Sequence, residues 1–336
     1  MMRIAFLDDR PSYDGLALQN QPMSGVQSGT VLLAEALARR GRNVTIFNQR
    51  DKSLDLNNVV YKDLPQGCLN DAFDIAISNT NIKVLDKAVC ASHIVWARNN
   101  IVLKKIIKSG VLQSLIRNRP HIVFPSYYAS SRTSRLWPFR SRSIIHHGFN
   151  AEFFSSVKEV PSDPIAIFAS DPSRNLQVVL DIWRAVIHPA VPNSRLHIYH
   201  PRGFSDFGDI NVLSRQGIEL KGSVGKRQLA SAMQKARIML YPGHRCETFC
   251  NSAAEALCAG APLVTMGIGA LKERVRHDVD GLISSTPTQM GHDAIRLLTD
   301  DNLWWRMHKA AIEGSRNSDW ERRAAQWEQL FARVKG

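Results

Sequence analysis

The strongest constraint on this 336-residue chain is a pattern that appears near its start and begins again at its middle. An apolar run of strand length is followed by helical spacing and then by another apolar run. Arg3-Ile4-Ala5-Phe6-Leu7 reads as a buried first strand. A long loop with Pro11, Gly15, Pro22, Gly25 and Gly29 follows it. From Thr30 to Arg40, Val31, Leu32, Ala34, Leu37 and Ala38 recur at helical spacing, and Gly41 stands where a C-cap belongs. Val44-Thr45-Ile46-Phe47 is the next strand. Strand, helix, strand wiring requires a parallel sheet, because the helix must cross back over one face. Runs at residues 74–77, 93–96, 121–124 and 143–145 extend that sheet.

His147-Gly148-Phe149-Asn150 reads as a turn out of the sheet, and residues 155–164, with Pro161 and Pro164, as a linker. The pattern then restarts. Strands are expected at 165–168, 196–199, 238–241 and 263–266, with helices at 176–187, 228–236 and 252–259. Helices dominate from there to a last one at 319–334. The economical fold is α/β, with two doubly wound domains in tandem.

One stretch concentrates polar chemistry at a strand-to-helix junction. It runs Tyr241-Pro-Gly-His-Arg-Cys-Glu247-Thr-Phe-Cys-Asn-Ser-Ala-Ala-Glu255-Ala-Leu-Cys-Ala-Gly260-Ala-Pro262. Open α/β sheets bind ligands at the carboxyl ends of their strands, where this loop belongs. A helix opening near Asn251 or Ser252 turns unpaired N–H groups and the positive end of its dipole toward the loop, which suits a phosphate. Glu247 precedes the helix and can face a sugar. Glu255, placed in the first turn, can accept from ribose hydroxyls. Ser252-Ala-Ala-Glu255 also spells a capping box, in which Glu255 only bonds back to the backbone, and the residues alone favour that reading.

The surrounding pattern resembles glycosyltransferase family 4. The resemblance rests on Glu247, Thr248-Phe249 and Glu255-Ala256, then on Ala259-Gly260-Ala261-Pro262 with Leu263-Val264, Gly269-Ala270, Glu273-Arg-Val and Asp280-Gly281-Leu282-Ile283. It extends to Ser24-Gly25, to His147-Gly148-Phe149-Asn150 and to Ser173-Arg174-Asn175-Leu176. It implies the GT-B fold, two Rossmann-like domains facing across a cleft. It further implies residues 1–154 as an acceptor-side domain, 155–316 as the donor domain, and a last helix, 317–336, crossing back to the first. The implied activity is transfer of a sugar, with retention, from a UDP- or GDP-sugar to a glycan or lipid-linked acceptor in polysaccharide or lipopolysaccharide synthesis. No metal or cofactor is expected. Glu247 would contact the donor sugar and Glu255 the ribose. Thr248, Phe249, Cys250 and Asn251 would form the donor-binding loop, the last three through backbone N–H groups. Arg174 would neutralise the diphosphate, Gly25 would let backbone approach the phosphates, and Val224 would lie by the base.

Two departures from the family pattern bear on the site. Family members often carry an Arg and then a Lys after the linker strand, and here Phe168–Arg174 supplies Arg174 alone; Lys226 or Arg227 is either the substitute or part of an exposed helix surface. A His usual after the strand near residue 96 is replaced by Arg98, which becomes a candidate catalytic residue. Two rival functions stay open. A nucleotide-sugar epimerase on the same fold would turn over donor without an acceptor, and a non-catalytic nucleotide-sugar binding protein would not turn it over at all.

Charge narrows the partners. Residues 1–150 hold 20 Lys+Arg against 10 Asp+Glu, and no acidic residue occurs between Asp86 and Glu152. Lys87, Arg98, Lys104, Lys105, Lys108, Arg117, Arg119, Arg132, Arg135, Arg140 and Arg142 lie in that interval. Such a field attracts anionic partners, and it points to attachment at the inner membrane face. No nucleic-acid recognition module accompanies it. The chain shows no apolar run of spanning length and no signal-peptide pattern, so a cytoplasmic protein is expected. Its five cysteines lack paired metal-site spacing and are expected as reduced thiols. Asp278-Val279-Asp280 spells D-x-D but sits in a turn before Gly281, so it is not expected to bind metal. No glycine-rich dinucleotide or P-loop motif follows any strand.

Overall fold

A computed structural model describes residues 1–21, 23–69, 71–79, 81–99, 110–150, 153–154, 156–158, 161–200 and 209–334. Lys104, Lys105 and Lys108 of the basic stretch lie outside the described residues. The chain divides into two compact units. One comprises Met1–Leu18, Met23–Gly148 and Ser318–Gly336; the other comprises Gln19–Pro22 and Phe149–Asn317. Each unit is built on a Rossmann-like sheet.

In the first unit β1 (Arg3–Pro11), β2 (Asn43–Gln49), β3 (Leu54–Leu56), β4 (Val59–Asp63), β5 (Phe73–Asn79), β6 (Cys90–Trp96), β7 (His121–Phe124) and β8 (Arg142–Ile144) form one sheet. Its order is β3-β4-β2-β1-β5-β6-β7-β8. All neighbours run parallel except β3 and β4. Side chains of successive residues in β1 enter different cores, Ile4 and Phe6 one and Ala5 and Leu7 the other, so both faces of the sheet are covered. The β3–β4 hairpin turns through Asn57 and Asn58, both at positive φ (54° and 61°), the geometry of a two-residue hairpin turn that asparagine tolerates.

The loop expected between residues 11 and 29 is instead largely helical, with α1 at Gly15–Asn20 and α2 at Gly25–Arg39. Ser24 caps α2 through a capping box with Gln27: Ser24 Oγ accepts from Gln27 N, and Gln27 Oε1 accepts from Ser24 N. Gly25 and Gly29 obscured that start, because glycine weakens a helical pattern. The unit continues with α3 (Val111–Asn118) and α4 (Tyr127–Ser131). The C-terminal helix, Trp320–Val334, packs on α2 and β6. Trp327 lies 5.0 Å from Trp96 between ring centroids, Arg40 and Arg42 both bond Glu328, and Ser92 Oγ donates to Val334 O.

The second unit contains β9 (Ile165–Ala169), β10 (Arg195–Tyr199), β11 (Ile218–Leu220), β12 (Ile238–Leu240), β13 (Leu263–Thr265) and β14 (Gly281–Ile283). All pairings are parallel, in the order β11-β10-β9-β12-β13-β14. The helices are α5 (Leu176–Ile182, widening into a π turn at Trp183–Ile187), α6 (Ile210–Arg215), α7 (Lys226–Lys235), α8 (Asn251–Cys258), α9 (Pro287–Thr299) and α10 (Asp301–Ser315). Phe149 and Phe153 belong to this unit's core. Trp304 is fully buried, whereas Trp305 is 40% exposed with the Lys309 ammonium over its ring.

Strand order reverses between β9 and β12 in the second unit and between β1 and β5 in the first. In a doubly wound sheet such a reversal opens a crevice at the carboxyl edge, because the helices on its two sides leave to opposite faces. Each unit therefore has one topologically defined place for a ligand.

Candidate functional site

At the reversal in the second unit, the turn after β9 carries Arg174 and the loop after β12 carries Tyr241, His244 and Glu247. Asp171 shapes the first turn, with Oδ1 accepting from Ser173 N at 2.9 Å and its carbonyl accepting from Arg174 N. Asn175, in the left-handed region at φ 65°, donates from Nδ2 to Gly243 O at 2.6 Å and ties this turn to the β12 loop. Arg174 Nε lies 3.6 Å from Glu247 Oε1, and Arg174 Nη1 donates to His244 Nδ1 at 2.9 Å. The backbone N–H of Cys246 also donates to His244 Nδ1, so that nitrogen carries a lone pair and the ring proton sits on Nε2. Tyr241 donates to Glu247 Oε1 at 2.5 Å. Burial pushes the Tyr241 phenol well above its usual range, so it stays a donor. Glu247 and Arg174 keep 15% and 28% of their side-chain surface exposed, so this carboxylate and guanidinium remain accessible at the sheet's switch point.

Close backbone contact fixes the Glu247 loop. Gly269 has φ +73°, and a Cβ there would lie 2.4 Å from His244 O and 3.1 Å from Glu247 Cβ. Ala270 N donates to Glu247 O. The loop then enters α8 through Cys250, whose φ of 66° is unusual for a side chain with a Cβ. Burial, aided by the Glu247 charge, raises the Cys250 thiol far above its usual range, so it is a protonated core group. Cys250, the N-cap residue, makes no side-chain cap hydrogen bond, and α8 opens directly from this loop. Thr248 and Phe249 are buried and Asn251 half-buried, with the Arg274 guanidinium 4.5 Å over the Phe249 ring.

The structure removes the capping-box reading of Glu255. With Cys250 at the N-cap, Glu255 is two residues further into the helix than the sequence reading placed it, and the capping box with Ser252 does not form. Glu255 instead pairs with Lys226, Nζ to Oε1 at 2.6 Å. Lys226 is therefore not part of an exposed helix face. Val224 stands half-buried in the turn before α7.

Gly25 and Arg98 belong to the first unit. Gly25 is the first residue of α2, half-buried behind the Ser24 cap. Arg98 is 5% exposed and lies in the interior. Its guanidinium packs 3.1 Å over the Trp96 ring, Nε donates to Asn79 Oδ1 and Nη1 to His147 Nε2. A Cβ on Gly29 would lie 3.1 Å from Arg98 Nη1, so this glycine makes room for it. Asn79 donates to Asp8 and Thr30, and Tyr13 donates to Asp8 Oδ2 at 2.8 Å. The first unit's switch point is thus filled by its own side chains.

The basic stretch separates into inward and outward residues. Lys87 donates to Pro65 O and Gln66 O, and Arg142 to Thr133 O and Ser134 O. Arg117, Arg119, Arg132, Arg135 and Arg140 are exposed, with exposed Leu112, Ile116, Tyr127 and Leu136 among them. Asp278 and Asp280 are taken up by Arg306 and Arg276. Among the described residues, no helix is long and apolar enough to cross a membrane.

Sequence reasoning missed Tyr241 and His244 as supports of Glu247 and Arg174. Both stand inside the singled-out stretch, so proximity to Glu247 was an available signal. It also left Lys226 undecided, since a pair 29 positions apart has no local signature.

Residues 164–300 match the family described as glycosyl transferases group 1, a match covering most of the second unit. The chain is 32% identical over 118 residues to a D-inositol 3-phosphate glycosyltransferase of Xylanimonas cellulosilytica, covering 33% of this chain and 27% of that protein. It thus spans only about a quarter of that relative's length. Among solved structures it is similar to sucrose-phosphate synthase from Thermosynechococcus elongatus (TM-score 0.77, 16% identity, 99% of each chain). It is also similar to Anabaena HepE in complex with UDP and glucose (TM-score 0.74, 12% identity, 99% of this chain and 100% of that one). At such identities the likeness establishes the fold.

Proposed function

We propose that this chain is a glycosyltransferase that takes a sugar from a nucleotide-sugar donor and passes it, with retention, to a glycan or lipid-linked acceptor in cell-surface polysaccharide synthesis. One observation carries the reading. Arg174 and Glu247 meet, partly exposed, at the switch point of the second sheet, beside the N-terminus of α8. The UDP bound by the solved HepE supports a UDP-sugar as donor, with a GDP-sugar as the alternative.

In this reading the diphosphate lies against the start of α8, and the N–H groups of Phe249, Cys250 and Asn251 are its donors. Arg174 neutralises the negative charge that grows there as the glycosidic bond breaks. Tyr241 holds Glu247 through Oε1, leaving Oε2 to accept from a sugar hydroxyl. Glu255 accepts from the ribose, and Val224 packs by the base. The acceptor oxygen forms its bond to the anomeric carbon on the face that the diphosphate leaves, and the acceptor's proton passes to the departing diphosphate. Atoms and charge then balance on these groups alone. The buried Arg98 serves by holding the first unit's switch point together.

Exposed arginines interleaved with apolar side chains along residues 112–140 support a second element of the proposal, attachment to an anionic membrane surface. Sedimentation with anionic vesicles at low salt that weakens as salt is added is the expected behaviour.

The assay is turnover of a nucleotide-sugar panel with wild type and Glu247→Ala. The variant keeps its fold and loses transfer; full activity in Glu247→Ala overturns the proposal. Turnover without an acceptor would mark an epimerase, and binding without turnover a binding protein.

A further inference from the structure

Lys226 is the first residue of α7, Arg227 follows it, and no acidic residue stands in the first turn. Cations at a helix N-terminus oppose the helix dipole, so helix stability gives no reason for a lysine here. Its ammonium is nonetheless held firmly, 2.6 Å from Glu255 Oε1 and 5.5 Å from the Phe153 ring centre. The two side chains are only 14% and 10% exposed. An ion pair buried to this degree contributes little to stability, because desolvation offsets the attraction. Glu255 does not cap α8 either. Two arrangements without structural benefit therefore meet at one carboxylate.

We infer that Lys226 is a positioning residue for the nucleoside half of the donor, acting through Glu255. The inference rests on the function proposed above. The ammonium occupies Oε1 and fixes the carboxylate plane, so Oε2 is presented as the acceptor for a ribose hydroxyl. It also balances the charge of Glu255, so a dianionic diphosphate does not approach an uncompensated carboxylate. Because Lys226 acts on the nucleoside, it governs affinity for free nucleoside diphosphate and for the sugar-bearing donor alike.

The test is calorimetric titration of the full-length protein with UDP, GDP and ADP, and with the sugar conjugate of whichever binds. The proteins are wild type, Lys226→Met, Lys226→Arg, Glu255→Gln and the Lys226→Met/Glu255→Gln double variant. The expected loss for Lys226→Met is about tenfold for both ligands, with Lys226→Arg within about threefold of wild type. The double variant should bind no more weakly than Glu255→Gln alone, since the lysine acts through that carboxylate. Thermal melts check folding, and Lys226→Gln carries the same comparison if the methionine variant does not fold. Equal binding by Lys226→Met and wild type overturns the inference. So do losses that multiply in the double variant, which would make the two residues independent. If wild type binds none of the three nucleotides, the proposed function falls with it; if wild type binds and Glu255→Gln is weakened while Lys226→Met is not, only the inference falls.

Discussion

The two units share a strand-order reversal and use it in opposite ways. In the first, Asp8 in the second half of β1 and Asn79 at the end of β5 are joined by Tyr13, Thr30 and Arg98 into one buried hydrogen-bonded set. In the second, Arg174 and Glu247 occupy the equivalent place but stay partly exposed, and their supports come from behind, from Tyr241, His244 and the Gly269 contact. A polar cluster at the carboxyl edge of a parallel sheet is thus not by itself a site. What separates the two is whether the charged groups are buried among one another or leave surface for something else.

That contrast makes Arg174 and Arg98 the pair to exchange. Arg174→Ala should lower transfer by about 10²–10³-fold, the cost of removing one group that stabilises developing charge, with little change in thermal midpoint. Arg98→Met should do the reverse, destabilising the first unit by about 2–3 kcal/mol in denaturant melts, because Asn79 and His147 lose a buried partner. A stable but inactive Arg98→Met would erase the distinction between the two regions.

Gly269→Ala probes the support rather than the charge. Its methyl would meet His244 O at 2.4 Å, so the β12 loop must shift. A cost of about 2 kcal/mol is expected, together with weaker donor binding than the stability change alone explains. Donor affinity that stays at wild-type level would show that the loop is not held by this contact.

The smallest effect is pH dependence. His308 is fully buried, accepts from Lys158 N through Nε2 and donates through Nδ1 to Gly260 O, and burial holds its imidazole below the usual range. Above pH ~6.5 the ring is neutral in both folded and unfolded chains. Below that the unfolded chain takes up the proton first, so stability falls as pH drops. Stability should therefore decline as pH is lowered from about 6.5 to 5, and His308→Gln should show a shallower slope. An unchanged slope would remove His308 from this account.

Most of the sheet framework was legible in the sequence because its strands are buried runs linked by periodic helices. The β3–β4 hairpin was not read, since Leu54–Leu56 is short and half-exposed and its only signal was Asn57-Asn58. The start of α2 was read too late because Gly25 and Gly29 break helical spacing. At the site, Glu247 and the α8 junction were visible as a local arrangement, whereas Arg174, some 70 positions away, entered only through the family resemblance. Three things were not visible locally: the partner of Glu255, the burial of Arg98, and the inward turn of Lys87 and Arg142. Each depends on which side chains from distant segments share a space, which no local pattern encodes.

The most direct measurement is calorimetric titration of wild type and Arg174→Ala with UDP-, GDP-, dTDP- and ADP-sugars. Saturable binding of one of them to wild type, displaced by its free nucleoside diphosphate and weakened at least about tenfold in Arg174→Ala, is the predicted result. Binding of equal strength in the variant, or of none of the four to wild type, would contradict a donor site at the second unit's switch point.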